Sequence, residues 1–337
     1  MSPKDTNLPT IVILATGGTI AGVSNMNEPS DSYDAGVLTV KELLKSVPNI
    51  GNIARIQTKQ LTNIDSKDMT IEIWKKLVKN THELLKQPSI DGIVVTHGTD
   101  TLEETSFFTQ LIVNSDKPVV FTAAMRPSTA LSADGPLNLF NAVVVAASQN
   151  SRGQGVLVVM NGKIFSAYDV TKTNTYCVDT FCSPEFGPLG RIENSQAHYQ
   201  RSMRNTNSNG TSRRFDINTL SNLPRVEIVP SYAQPSRIVI DALVNDGCKG
   251  IVIAGTGNGT IHEILHEAAR NAAKRDVTIV RASRVCYGSV AQNIDYDNVG
   301  FLRAGRLNPW KARILLMLIL ASNITDYAER QRIFDSI

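Results

Sequence analysis

Apolar, β-type runs punctuate the chain, and helix-period patterns fill most of the gaps between them. The runs are Ile11–Ala15, Gly92–Thr96, Pro118–Ala123, Gly155–Asn161, Val226–Val229, Gly250–Ala254 and Val277–Arg281. Helical patterns cover Thr70–Lys86, Leu102–Val113, Leu137–Ser148, Ser236–Asn245, Thr260–Lys274 and Pro309–Ala321. The clearest is Thr70–Lys86, where Trp74, Leu77, Val78, Thr81 and Leu85 fall on one stripe. Asn308-Pro309 is a start signal for the last, a capping residue followed by Pro at the first turn. Strands alternating with helices predict a mostly parallel sheet covered on both faces. The pattern lapses in the polar stretch Arg201–Asn222. The expected fold is therefore α/β: a larger N-terminal domain over 1–200 with a mostly parallel, helix-covered sheet, a linker over 201–222, and a smaller α/β domain over 223–337.

At 337 residues, with 42% hydrophobic and 19% charged residues, the chain has ample material for cores. Its net charge of +3 gives no case for nucleic acid. Arg201, Arg204, Arg213 and Arg214 are interleaved with Asn, Ser, Thr and Gly, without aromatics spaced for stacking. The apolar run Ile314–Ala321 is far short of a membrane span. The opening "MSPKDTNLPT" has no apolar signal region, which a mature secreted chain would also lack. Cys177, Cys182, Cys248 and Cys286 form no C-x-x-C pair and read as free thiols, with a Cys177–Cys182 bridge as the alternative.

In open parallel sheets ligands lie at the carboxyl ends of strands. Three motifs fall there: "TGGT" after Ala15, "THGTDT" after Val95 and "GTGNGT" after Ala254, the last two opening helices. The first is not a phosphate loop. Counting from Gly17, the dinucleotide fingerprint fails at Thr19, and the P-loop fails because Val23 stands where lysine must be. What remains is Thr19, a hydroxyl held on a glycine turn. A hydroxyl nucleophile needs a base. "HGTDT" offers a second hydroxyl, Thr99, beside the carboxylate of Asp100, and Lys172 lies on a polar loop downstream. A lysine becomes a base only where its surroundings tune its pKa. Ser66 in "NIDSKDM" reads as the cap of the long helix that follows, able to share that N-terminus with a carboxylate. His97 reads as a packed, hydrogen-bonded histidine.

A rival motif is "HEILH", His262 to His266, which matches the zinc metalloprotease signature. The pattern Ile261, Ile264, Leu265, Ala268 and Ala272 is taken as the core face of that helix, with the histidines on its flank. Ala269 and Ala272 occupy the positions of the extended motif, and no Glu lies between Glu267 and Glu329 as a third ligand. Zinc is set aside, and neither metal nor cofactor is expected.

"ATGGTIAG", "THGTDTLEETSFF", "AMRPSTALSADGPLNL", "DVTKTNT" and "LNPWKAR" together resemble bacterial type II L-asparaginases, from about Ile11 to the C-terminus. The resemblance implies hydrolysis of asparagine to aspartate and ammonia, in a homotetramer whose active sites are shared between subunits, in the periplasm or secreted, with a cytoplasmic housekeeping asparaginase as the alternative. It makes Thr19 the nucleophile and Tyr33 its partner on a mobile lid of roughly Gly22 to Ala35. Thr99, Asp100 and Lys172 form the second catalytic group, and Gly18 and Gly98 bind substrate, the backbone N–H groups beside them serving as donors to the oxyanion. Ser66 binds the substrate α-carboxylate, Asp100 the α-ammonium, and the Ala124 carbonyl the amide nitrogen. Asn258 reaches in from the neighbouring subunit.

Two positions depart from the family pattern. Lys67 stands where Gln is common, and Asp295 where a neighbour-supplied Glu is common. The expectation drawn from them is a Lys67–Asp295 pair across the subunit interface, at some loss in asparagine binding. Glutamine is the alternative substrate, in a dual glutaminase–asparaginase. A two-lobed amino-acid binding protein is the alternative from another class, though it has no use for Thr19, Thr99 and Lys172 together.

Overall fold

Alternation is the rule that organises the first sheet. In a computed structural model that describes residues 8–23, 34–203 and 215–337, the strand β1 (Thr10–Gly17) is buried along its whole length. Ile11, Ile13 and Ala15 join one core while Val12 and Leu14 join another. A period of two along a strand sends neighbours to opposite faces, so a central strand with both faces covered must be apolar throughout. The other strands are β2 (Arg55–Ile64), β3 (Gly92–Thr96), β4 (Val119–Thr122), β5 (Val156–Met160), β6 (Lys163–Ser166), β7 (Thr171–Lys172), β8 (Phe181–Cys182), β9 (Gly190–Glu193) and β10 (Gln196–Tyr199). Eight of them form one sheet in the order β10-β9-β6-β5-β4-β3-β1-β2. From β2 to β5 the pairings are parallel; β6, β9 and β10 add antiparallel strands at one edge. The strands β7 and β8 pair separately as a hairpin.

Helices α1 (Val40–Lys45), α2 (Ile71–Leu85), α3 (Leu102–Ile112) and α4 (Gly135–Ala147) pack around this sheet. One core joins the sheet to Leu139, Ala142 and Val143 of α4; the other joins it to Leu77 and Leu85 of α2 and Leu102 of α3. Trp74, Leu77, Val78, Thr81 and Leu85 are the buried residues of α2, the stripe read from the sequence. The Trp74 indole stacks on Phe108 at 5.0 Å and donates to Thr105 Oγ1 at 2.8 Å, so its one polar atom is satisfied.

The chain divides into two units, Met1–Ser208 and Asn209–Ile337. Half of the expected linker, residues 204–214, lies outside the described residues, and its end forms a 3-10 helix, Ile217–Asn222. The second unit holds a parallel sheet in the order β11 (Val226–Pro230), β12 (Gly250–Gly255), β13 (Thr278–Ser283) and β14 (Leu302–Arg303). Its helices are α5 (Ile238–Asn245), α6 (Glu263–Ala273), α7 (Ile294–Asp297), α8 (Pro309–Ala321) and α9 (Tyr327–Asp335). The expected α/β class, a larger sheet domain followed by a smaller one, holds.

Candidate active site

Parallel strands bring their carboxyl ends to one edge of a sheet, and the first-unit residues singled out in the sequence lie there or close by. At the end of β1 the register with β2 shifts: Ala15 faces Gln60, but Gly17 already faces Ile64. The bend needs glycine. Gly17 has φ of 108° and Gly18 of 82°, a region that side chains disfavour. Gly18 also lies so close to the backbone of Gly98 that a Cβ could not be placed, and a Cβ on Gly98 would fall 2.5 Å from Ser66 Oγ. Two strand-end loops therefore touch through glycines, with Ser66 against the second. Thr19 opens a short 3-10 turn, Thr19–Ala21, and is buried.

Ser66 does not cap the long helix. Thr70 does, accepting from the Ile73 N–H at 3.3 Å. The stretch from Asp65 forms its own turn, Ser66–Asp68, because Asp65 caps it first. This leaves the buried Ser66 hydroxyl to accept from the Asp100 N–H at 3.2 Å, while the Thr101 hydroxyl donates to the Ser66 carbonyl at 2.8 Å. Lys67 is exposed and paired within the same turn, with Asp65 at 3.0 Å and Asp68 at 3.1 Å. Hydrogen bonds to Asp65 and then Asp68 hold its ammonium's pKa above the usual lysine value. Within its own chain, Lys67 thus already has two acid partners.

Lys172 lies on strand β7 and not on a loop: it pairs with Phe181 across the hairpin, and Thr173 N–H closes on the Thr180 carbonyl at 2.7 Å. The hairpin aims the ammonium at the β3 loop. Its Nζ is 2.9 Å from Thr99 Oγ1 and 2.6 Å from Asp100 Oδ1. The Lys172 N–H also points to the buried Glu103 at 3.5 Å. Sequence reasoning passed over Glu103, although an acid in the first turn of a helix beside a motif was a signal. Among the described residues, the N–H groups of Gly98 and Thr99 donate to no acceptor, whereas Gly18 N–H is taken by the Ile64 carbonyl at 2.8 Å.

Ala124 is fully buried beyond β4. The next two N–H groups, Met125 and Arg126, donate to Asp134 at 3.0 and 2.9 Å, and Asn138 donates to the Ala123 carbonyl at 3.1 Å. Asp134 and Asn138 thus pin the chain on both sides of Ala124. Tyr33 lies outside the described residues, as do positions 24–33 of the expected lid.

Asn258 and Asp295 belong to the second unit. Asn258 sits in the loop after β12, which closes on itself through a Thr256–Thr260 bridge and does not open a helix directly. Helix α6 begins later, capped by His262, whose Nδ1 accepts from Ile264 N–H at 3.3 Å. This also dismantles "HEILH". His262 is outside the helix, and His266 is packed edge-on against Tyr296 and Phe301 at 5.2 and 5.6 Å. Ile264, expected in the core, is exposed; Ala269 takes its place among the buried residues. Among the described residues no group of three or more His, Cys, Asp or Glu could hold a metal ion, and no helix is long and apolar enough to cross a membrane. None of the four cysteines is in a disulfide among the described residues.

This chain matches the family model "Asparaginase, N-terminal" over residues 10–205 and "Glutaminase/Asparaginase C-terminal domain" over 225–334. The chain belongs to the asparaginase family. Among its relatives, "L-asparaginase 2" of Escherichia coli is 46% identical over 97% of this chain and 93% of that protein. "Probable L-asparaginase periplasmic" of Haemophilus influenzae is 47% identical over 93% and 89%. The asparaginase fold is equally clear. A crystal structure of a probable cytoplasmic L-asparaginase from Campylobacter jejuni superposes with a TM-score of 0.92 at 42% identity, covering 98% of this chain and all of that one. The resemblance to bacterial type II asparaginases drawn from five motifs therefore stands. One relative's name carries a periplasmic address and the other a cytoplasmic one.

Proposed function

We propose that this chain hydrolyses L-asparagine to L-aspartate and ammonia through a covalent acyl-threonine at Thr19. The observation that carries the reading is the meeting of Lys172 with Thr99 and Asp100 beside the paired glycine loops, in a chain of this family. Thr19 Oγ attacks the amide carbon, and its proton goes to the nitrogen that leaves as ammonia. Water then gives its hydroxyl to the acyl carbon and a proton back to Thr19 Oγ. Splitting one hard step into two easier ones is the gain of covalent catalysis.

The remaining roles follow the resemblance. Tyr33 assists Thr19. Lys172 and Thr99 move protons. Ser66, near the Lys67 turn, receives the α-carboxylate, and the Asp100 oxygen not facing Lys172 receives the α-ammonium. The Ala124 carbonyl takes the amide nitrogen. The oxyanion needs positioned donors, which the Gly98 and Thr99 N–H groups supply. Asn258 and Asp295 come from a neighbouring subunit of a homotetramer.

A second reading, a dual glutaminase–asparaginase, is supported by the 41% identical "Glutaminase-asparaginase" of Pseudomonas fluorescens. One methylene of substrate is worth only ~1–3 kcal/mol of discrimination. Ammonia release from asparagine and glutamine, measured side by side, decides between the two. Thr19→Ala is expected to lower kcat by about 10^3-fold or more on either amide. A Thr19→Ala enzyme as active as wild type would remove the threonine mechanism, and no ammonia from wild type would bring forward the binding-protein alternative.

A further inference from the structure

The side chain of Arg281 is fully buried in the middle of a parallel strand, a place where a charge is costly unless it is well partnered. Its partners are all parts of the loops that carry Asn258 and Asp295. Nη1 lies 3.5 Å from the Asn258 carbonyl and 3.4 Å from that of Gly259. Nη2 donates to the Ala291 carbonyl at 3.0 Å. The guanidinium also lies over the Tyr296 ring, 4.2 Å from its centroid. Tyr296 neighbours Asp295 on helix α7, and its hydroxyl accepts from the Ile261 N–H at 3.0 Å. One buried cation thus bridges the Asn258 loop, the segment before α7, and α7 itself.

The consequence for Asn258 is specific. Ala291 N–H donates to Asn258 Oδ1 at 2.8 Å, while Arg281 holds the Ala291 carbonyl. Because a backbone N–H demands an acceptor, Oδ1 must face Ala291, and the Asn258 amide turns its two-proton Nδ2 outward. The two loops pack too tightly for slack: a Cβ on Gly259 would lie 2.8 Å from Val290 Cγ1.

We infer that Arg281 is a positioning residue for amide hydrolysis, fixing which face of Asn258 is presented to substrate. The inference rests on the proposed function. Burial lowers the guanidinium's pKa, an effect opposed by Tyr296, Asp297 and Tyr327. The fork geometry is what matters, because lysine would keep a charge but could not reach the three carbonyls together.

The test is steady-state kinetics on asparagine for wild type, Arg281→Lys, Tyr296→Phe and Asn258→Ala, with the double variant Arg281→Lys/Asn258→Ala and thermal melts of each. Losing one or two hydrogen bonds that orient a binding group is expected to raise KM about tenfold in Arg281→Lys with kcat nearly held. In the Asn258→Ala background the same substitution is expected to change KM by less than about twofold, since the group it positions is gone. Tyr296→Phe, which keeps the ring under the guanidinium, is expected to leave KM nearly unchanged, and Arg281→Gln gives the signature of Arg281→Lys should that variant not fold. A lowered melting temperature with an unchanged KM would overturn the inference, as would an equal effect in both backgrounds. Absence of ammonia from wild type would overturn the amidase reading itself and the inference with it, a result distinct from an active enzyme whose KM ignores Arg281.

Discussion

His97 stands between the two glycine loops yet offers them no charge. Its side chain is fully buried beside Phe121, with Nδ1 2.7 Å from the Gly98 carbonyl and Nε2 without a partner among the described residues. A carbonyl needs a donor, so Nδ1 carries the proton and only Nε2 can take another. Burial holds the pKa down at about 4, partly offset by the Gly98 bond. The unfolded chain binds that proton near pH 6.5 and the folded one does not, so stability rises with pH across this window. It is complete above about 6.5 and is lost as pH falls toward 4, at a cost of about 3 kcal/mol. Urea denaturation of wild type and His97→Asn at pH 7 and pH 4.5 measures this. The variant is expected to lose less stability between the two; equal losses would show that His97 is not the group responsible.

Among elements, the caps separate structure from chemistry. The Thr70 hydroxyl satisfies the Ile73 N–H, so Thr70→Ala is expected to cost ~1 kcal/mol of stability. Thr70→Ser should restore it, and ammonia release by the folded enzyme should not change in either. A melting temperature that ignores Thr70→Ala would return the capping role to Ser66, where the sequence had put it. That misassignment shows what was legible. The strands buried on both faces and the apolar stripe of α2 announce themselves because burial dictates residue type. The edge strand β2 does not: Arg55–Ile64 is largely exposed or half-buried, so its residues, Lys59 and Gln60 among them, follow no apolar pattern. Strand β6 could have been found. Asn161 and Gly162, both at positive φ, form the tight turn between β5 and β6, and Asn-Gly is a strong hairpin signal. Asp65 and Ser66 are both good caps, and only tertiary contact decides which N–H each one meets. In the same way "HEILH" has the right letters, but the helix begins one residue too late to hold them on one face.

At the scale of the whole molecule, the proposed site is divided: Thr19, Thr99, Asp100 and Lys172 lie in the first unit, Asn258 and Asp295 in the second. Spacing cannot tell whether one chain or two supply the halves, and only family resemblance suggested sharing between subunits. The proposal makes a prediction that a self-contained site does not. Thr19→Ala subunits lack the nucleophile but keep Asn258; Asn258→Ala subunits keep the nucleophile but lack the binding amide. In co-refolded mixtures of equal parts, a site built within one chain always carries one defect, and activity stays at the average of the two parents. A site built from neighbours is intact whenever the right halves meet, which random association in a closed homo-oligomer gives in about a quarter of sites. Recovery toward about a quarter of wild-type kcat/KM, in a particle whose mass by light scattering is that of four chains, is the expected outcome. Mixtures no better than the parental average would overturn the sharing of sites between subunits.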